Sequence, residues 1–232
     1  MVEGDSKGTE NYAFRVTFNL NKQQKKGRND MNTNETSSSQ GLRILVIDDS
    51  KTHQAAARAQ LGTSNTLTVV GTYDEAQTLL AGSYSYPEGW KGRQQFDVVL
   101  ADLLLPASGR KQGAGAKYAG QEMPIGIFLA LLAAKQGVKH VAVFTDSDHH
   151  SHPASACFDI FNENEKDKGC DECKPSSMNV EGCSLTLVNN RNWVNHFDPA
   201  DLAKALEYKE YSERSDTVTA KNWSAVLSYI LK

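Results

Sequence analysis

The chain has 232 residues, 39% of them hydrophobic, with a mean hydropathy of -0.51, a formal net charge of -3 and a pI near 6.1. That balance gives no electrostatic case for nucleic acid or an anionic membrane as partner, and the longest apolar run, IGIFLALLAA from Ile125, is too short to span a bilayer. The polar N-terminus shows no secretory signal, and four cysteines do not make a disulfide scaffold, so a cytoplasmic protein is expected.

Residues 1 to about 40 read as an extension. Phe14, Val16 and Phe18 alternate with polar residues, as in a strand. The polar stretch that follows, with Lys22, Lys25, Lys26 and Arg28, reads as a disordered linker. From Gly41 to the C-terminus the pattern is regular. LRILVI is a buried strand, and THQAAARAQL a helix with Ala56, Ala57 and Leu61 inward. LTVVGT is a second strand. TYDEAQTLLAG is a helix with Thr72 as N-cap and Glu75 three residues on, a capping box. After a loop marked by Pro87, Gly89 and Gly92, FDVVLAD forms the third strand.

A glycine-rich loop leads to a buried apolar helix expected to start near Pro124. VKHVAVFTDS and CSLTLVNN are the fourth and fifth strands. DPADLAKALEYKE, capped by Asp198 or Asn195, and NWSAVLSYILK are closing helices. Trp90, Trp193 and Trp223 read as packing residues. Near-continuous apolar strands alternating with helices predict a parallel sheet covered on both faces.

Asp48 and Asp49 end the first strand and Asp102 ends the third. Strand ends of this kind converge on the crevice where open α/β sheets bind ligands. Three crowded carboxylates repel one another unless a cation sits among them, and hard oxygen ligands suit Mg²⁺. The plain alternative is that Asp48, Asp49 and Ser50 cap the next helix and Asp102 is an ordinary loop residue.

With Pro106 four residues after Asp102, Thr145 ending the fourth strand, and Arg58 and Leu61 in the first helix, residues 41 to about 210 resemble a response-regulator receiver domain of two-component signalling. The resemblance implies a flavodoxin-like, doubly wound sheet of five parallel strands in the order 2-1-3-4-5, here with long loop insertions. It implies that Asp102 accepts a phosphoryl group from a histidine kinase or phosphotransfer protein. Mg²⁺ is then held by Asp48, Asp49, Asp102 and the Leu104 carbonyl, while Thr145 donates its hydroxyl to the phosphoryl group. Output passes to a downstream protein partner, and the only chemistry is self-directed rather than that of a metabolic enzyme.

The chain departs from that pattern in two places. Asn189 or Asn190 stands where receivers carry a lysine after the fifth strand, leaving Arg191 as the nearest cation, and Thr186 or Leu187 replaces the aromatic switch residue. Asp146 adds a negative charge directly after Thr145. Two further readings therefore stand beside the first: a pseudo-receiver that signals by contacts alone, and a Mg²⁺-dependent phosphohydrolase.

The segment from about 146 to 183 contains Cys157, Cys170, Cys173 and Cys183. The CxxC spacing of Cys170 and Cys173 suits a zinc knuckle closed by the other two thiols, with His149, His150 or His152 able to replace one. The bland reading makes Cys157 a buried helix residue. Asp146, Asp148, His149, His150 and His152 read as a solvated loop with the composition of a second metal site, and His53 as partly exposed and inert.

Overall fold

The computed structural model describes residues 41–85, 89–110, 113–147, 152–161, 175–189, 193–198 and 218–232. The expected N-terminal strand and linker, all but the first residue of the helix expected over 198–210, and Cys170, Cys173, Asp148, His149 and His150 lie outside the described residues. Among the described residues, no helix is long and apolar enough to cross a membrane.

In chain order the first half comprises β1 (Arg43–Ile47), α1 (Lys51–Leu61), β2 (Thr66–Val70), α2 (Tyr73–Ala81), β3 (Ser83–Ser85), β4 (Gly89–Lys91), β5 (Val98–Asp102), β6 (Leu105–Pro106) and β7 (Glu122–Met123). The second half comprises α3 (Gly126–Lys135), β8 (His140–Thr145), α4 (Pro153–Ala156), β9 (Ser176–Val180), β10 (Cys183–Asn189), β11 (Val194–Phe197), β12 (Val218–Lys221) and α5 (Trp223–Ile230). The result is an α/β molecule around a mostly parallel six-stranded sheet.

The sheet order is β2-β1-β5-β8-β10-β9. The expectation of five strands in the order 2-1-3-4-5 is corrected by β9, which pairs antiparallel along β10 and occupies the edge. The turn into β10 has both central residues at positive φ, Glu181 at 52° and Gly182 at 81°. Such a turn matches the strand twist and favours a glycine. Three of the long connections between sheet strands are partly structured. The first holds the β3–β4 hairpin, the second the β6–β7 pair, and the third contains α4 and β9.

Strand side chains alternate between faces. Leu45, Ile47, Val99, Ala101, Val141 and Val143 point to one side, where α2 and α3 bury Ala76, Leu80, Leu129 and Ala133 against them. Ile44, Val46, Val98, Leu100, Ala142 and Phe144 point to the other, beneath Ala55, Ala56, Ala57 and Leu61 of α1 and Trp223, Val226 and Ile230 of α5. Both faces are covered, as the continuous apolar strands require.

Local signals set the helix starts. Ser50 caps α1 by accepting from His53 N–H, and Thr72 caps α2 by accepting from Glu75 N–H at 3.2 Å. Glu75 reaches back to Gly71 N–H and the Thr72 hydroxyl, a close variant of the expected box. α3 begins at Gly126 rather than at Pro124. Gly126 N–H donates to the Leu103 carbonyl at 3.0 Å, and a Cβ at this glycine would collide with the Asp102 carbonyl oxygen. The helix is not buried all round, because Phe128 and Leu131 face outward. Asn195 is no helix cap, since it lies within β11.

Candidate functional site

β1 and β5 are adjacent parallel strands at the centre of the sheet. The helices that follow β1 and β5, α1 and α3, cover opposite faces, so the carboxyl ends of these two strands form the crevice where such sheets bind ligands. There the carboxylates of Asp48, Asp49 and Asp102 each offer an oxygen within 4.8 Å of the others. The cluster expected from sequence is therefore assembled in three dimensions.

Asp48 is fully buried and its oxygens are both engaged. Oδ1 accepts from Ser50 N–H at 2.9 Å and Oδ2 from Lys221 Nζ at 2.8 Å. Its backbone is tied too: N–H donates to the Val70 carbonyl, and C=O accepts from Gln54 Nε2 at 2.7 Å. Ser50 and Asp48 thus do serve as the local turn and cap. The carboxylate cluster exists in addition to that role.

Lys221 was not anticipated. Receivers carry their lysine at the end of the fifth strand; here Asn189 ends that strand, and its side chain donates to the Ser155 carbonyl. The cation comes from β12, which pairs antiparallel with β11 in a separate two-stranded sheet. Its Nζ lies 2.8 Å from both Asp48 Oδ2 and Asp102 Oδ1 and 4.0 Å from Asp146 Oδ1, with the side chain fully buried. The rings of Phe144 and Trp223 flank the ammonium at 5.4 and 5.5 Å. The sequence signal was present in VTAK, an apolar run closed by lysine immediately before Asn222, the N-cap of the last helix. No reasoning confined to the fifth strand could find it.

The lysine strand is fastened to α1. Lys221 N–H donates to His53 Nδ1 at 3.4 Å, and Gln60 Nε2 donates to the Lys221 carbonyl at 3.0 Å. Trp223 Nε1 donates to the His53 carbonyl at 2.9 Å. His53 is thus buried and fully engaged, a correction to the expectation of a partly exposed, inert residue. Its Nε2 meets Asp146 Oδ2 at 3.0 Å.

Among the described residues, the charges in this pocket do not balance. Asp48, Asp49, Asp102 and Asp146 face one lysine, and Glu122 on β7 adds its field at Asp49. Burial pushes Asp102 up to about 7 against the pull of Lys221, with Asp48 and Asp146 adding to the rise. Asp49 is raised as well, by burial first and then by Asp48. Asp146 is held down at about 2, chiefly by its hydrogen bond from His53. Burial alone would lower Lys221, but Asp102, Asp48 and Asp146 raise it above the usual lysine range, so it stays charged.

Asp102 Oδ1 is in ion contact with Lys221, yet no hydrogen bond of proper geometry reaches this buried oxygen. A buried carboxylate oxygen without one is costly and marks a place where a ligand can supply the missing interaction. The hard oxygen donors in excess here, with Asp102 Oδ1 held by an ion contact alone, fit a Mg²⁺ ion.

Thr145 ends β8 almost fully buried. Its Oγ1 accepts from Ser147 N–H at 3.1 Å, which leaves the hydroxyl proton available for donation. Leu104 lies in the buried turn after Asp102, next to the Leu103 carbonyl that α3 uses. Thr186 pairs with Ser177 across β9, and neither it nor Leu187 is exposed. Trp223 is a fully buried core residue, and Trp193 packs edge-on against Tyr229.

Of the cysteines, Cys157 is exposed rather than buried in a helix, whereas Cys183 is buried and its thiol is raised by burial. Cys183 opens β10, while α4, just before Cys157, is tied to the far end of that strand through Asn189 and Ser155. The two thiols therefore lie toward opposite ends of β10.

No protein-family description, curated protein or solved structure matches this chain.

Proposed function

We propose that this chain is a receiver-like signalling module whose Asp102 accepts a phosphoryl group in a Mg²⁺-dependent reaction. The observation that carries this reading is the buried Lys221, held 2.8 Å from both Asp102 and Asp48. The three carboxylates, a buried terminal threonine and now a lysine are the groups that the receiver resemblance requires around the phosphoryl group, while Thr186 or Leu187 still stands in place of the aromatic switch residue. The five mutually parallel strands are read as the flavodoxin-like set, with β9 added at the edge.

The chemistry follows from the groups present. A carboxylate oxygen of Asp102 attacks the donor's phosphorus, the bond from phosphorus to the donor breaks, and the leaving group takes up a proton. The product is an acyl phosphate. Bound Mg²⁺ would supply electrostatic stabilisation to the loose, anionic transition state. Asp49 and Asp102, with the Leu104 carbonyl, would hold the ion; Asp48 lies within ligand range but already has a partner on each oxygen. Lys221 pairs with one phosphoryl oxygen and Thr145 donates its hydroxyl to another. Asp102 must be ionised to attack, and Lys221 with the metal is what favours that state over the protonated one.

The donor is a histidine kinase or phosphotransfer protein, and output goes to a protein partner. The contact-only and phosphohydrolase readings are outcomes of the test. Beryllofluoride with Mg²⁺, followed by fluorine NMR, should give a bound signal on wild type and none on Asp102→Asn. Wild type without a bound signal leaves the contact-only reading in force, and release of inorganic phosphate from added esters supports the hydrolase. Zinc bound through Cys170 and Cys173 is a separate proposal, tested by elemental analysis of protein purified without chelator.

A further inference from the structure

We propose that Asp146, held by His53, acts as a charge brake on the phosphoacceptor pocket: it draws on Lys221 and opposes the incoming phosphoryl group. This rests on the reading of Asp102 as phosphoacceptor. The carboxylate follows Thr145 immediately, at the rim of the same crevice, and its side chain is 39% exposed.

The geometry forms a closed circuit. Lys221 N–H can only donate, so His53 Nδ1 must be the unprotonated nitrogen. In the neutral ring the proton then sits on Nε2 and is donated to Asp146 Oδ2 at 3.0 Å. The other Asp146 oxygen stands 4.0 Å from the Lys221 ammonium, within ion-pair range but beyond a hydrogen bond. The lysine is thereby restrained at its main chain by His53 and at its head by the carboxylate that His53 positions. With its proton already placed, and a carboxyl held far below the usual range, Asp146 is a poor base. Its contribution is charge.

Lys221 has three donors, and Asp48 and Asp102 each already take a close contact. An acyl phosphate on Asp102 carries about two negative charges in place of the carboxylate's one, so about one further charge faces the same ammonium. Asp146 stands 4.0 Å from the same ammonium, and its field already bears on Asp102. Each additional anion therefore shares a cation that is already shared. Removing the Asp146 charge frees Lys221 for the phosphoryl oxygens and removes a like-charge repulsion. Placing that carboxylate on an imidazole arm rather than leaving it to swing into solvent keeps the repulsion in force.

The full-length chain is compared as wild type, Asp146→Asn, Asp146→Ser and Asp146→Glu, using beryllofluoride with Mg²⁺ as probe. The neutral variants should bind the probe about tenfold more tightly, the scale of one charge near a protein surface, and their acetyl-phosphate adducts should outlive the wild-type adduct. Asp146→Glu should stay close to wild type. A residue that served only to hold the fold would give weaker binding and a lower melting temperature instead. Wild type that binds the probe, with both neutral variants equal to it or weaker, overturns the brake and leaves the phosphoacceptor reading standing. No binding by any form overturns that reading and the brake with it.

Discussion

A lysine ammonium with no exposure to water persists only where its partners outweigh desolvation, and Lys221 has Asp48 and Asp102 at contact distance. Lys221→Met should therefore leave two buried carboxylates uncompensated and cost about 3–5 kcal/mol in urea unfolding at neutral pH. Millimolar Mg²⁺ should recover part of that loss. The pH dependence has a definite sign. Asp102 is raised to about 7 in the fold, so its contribution to stability is fully present below the unfolded carboxyl value and is lost as pH rises through about 7. In EDTA the melting temperature should fall across that window, and Mg²⁺ should remove the fall. The same linkage makes apparent Mg²⁺ affinity weaken by up to about tenfold per pH unit below 7, because the proton and the metal compete for one carboxylate. Calorimetric titration at two pH values measures it.

The site depends at the next scale on β12 and α5 being fastened to α1. Trp223 links them by packing on Phe144, edge-on at 5.4 Å, and by its hydrogen bond to the His53 carbonyl. Trp223→Phe keeps most of the packing but loses this second hydrogen bond to a carbonyl that still accepts within the α1 ladder, at an expected cost of about 0.5–1.5 kcal/mol in chemical denaturation. Probe binding should weaken in the same variant as Lys221 loses its support. Gly126→Ala acts on the opposite face, pushing α3 away from the turn that carries Asp102. It should destabilise by about 1–3 kcal/mol, the usual scale for overpacking. These fastenings also explain what the sequence could reveal. Asp48, Asp49 and Asp102 were legible because each ends an apolar run, and a parallel sheet brings such ends together whatever the loops do. The Thr72 cap of α2 was legible because it depends on neighbours three residues away. His53 was misread because its burial is imposed by α5, far along the chain.

For the molecule as a whole, the proposed phosphoacceptor role turns on one displaced lysine. A search limited to the end of the fifth strand finds Asn189 and concludes that the cation is missing. The fold supplies it from a two-stranded sheet outside the main one, through contacts that no local pattern encodes. The added edge strand was hidden for a related reason, because SSMNV has only a weak apolar alternation and is defined by its pairing with β10. The central claim is that Asp102, beside Lys221 and the other carboxylates, takes a phosphoryl group. Intact mass after incubation with acetyl phosphate and Mg²⁺ tests it most directly. Wild type should gain the mass of one phosphoryl group, with EDTA or Asp102→Asn abolishing the gain. Wild type that stays unmodified, under conditions where an ordinary receiver domain is labelled, or an adduct that survives Asp102→Asn, would contradict it.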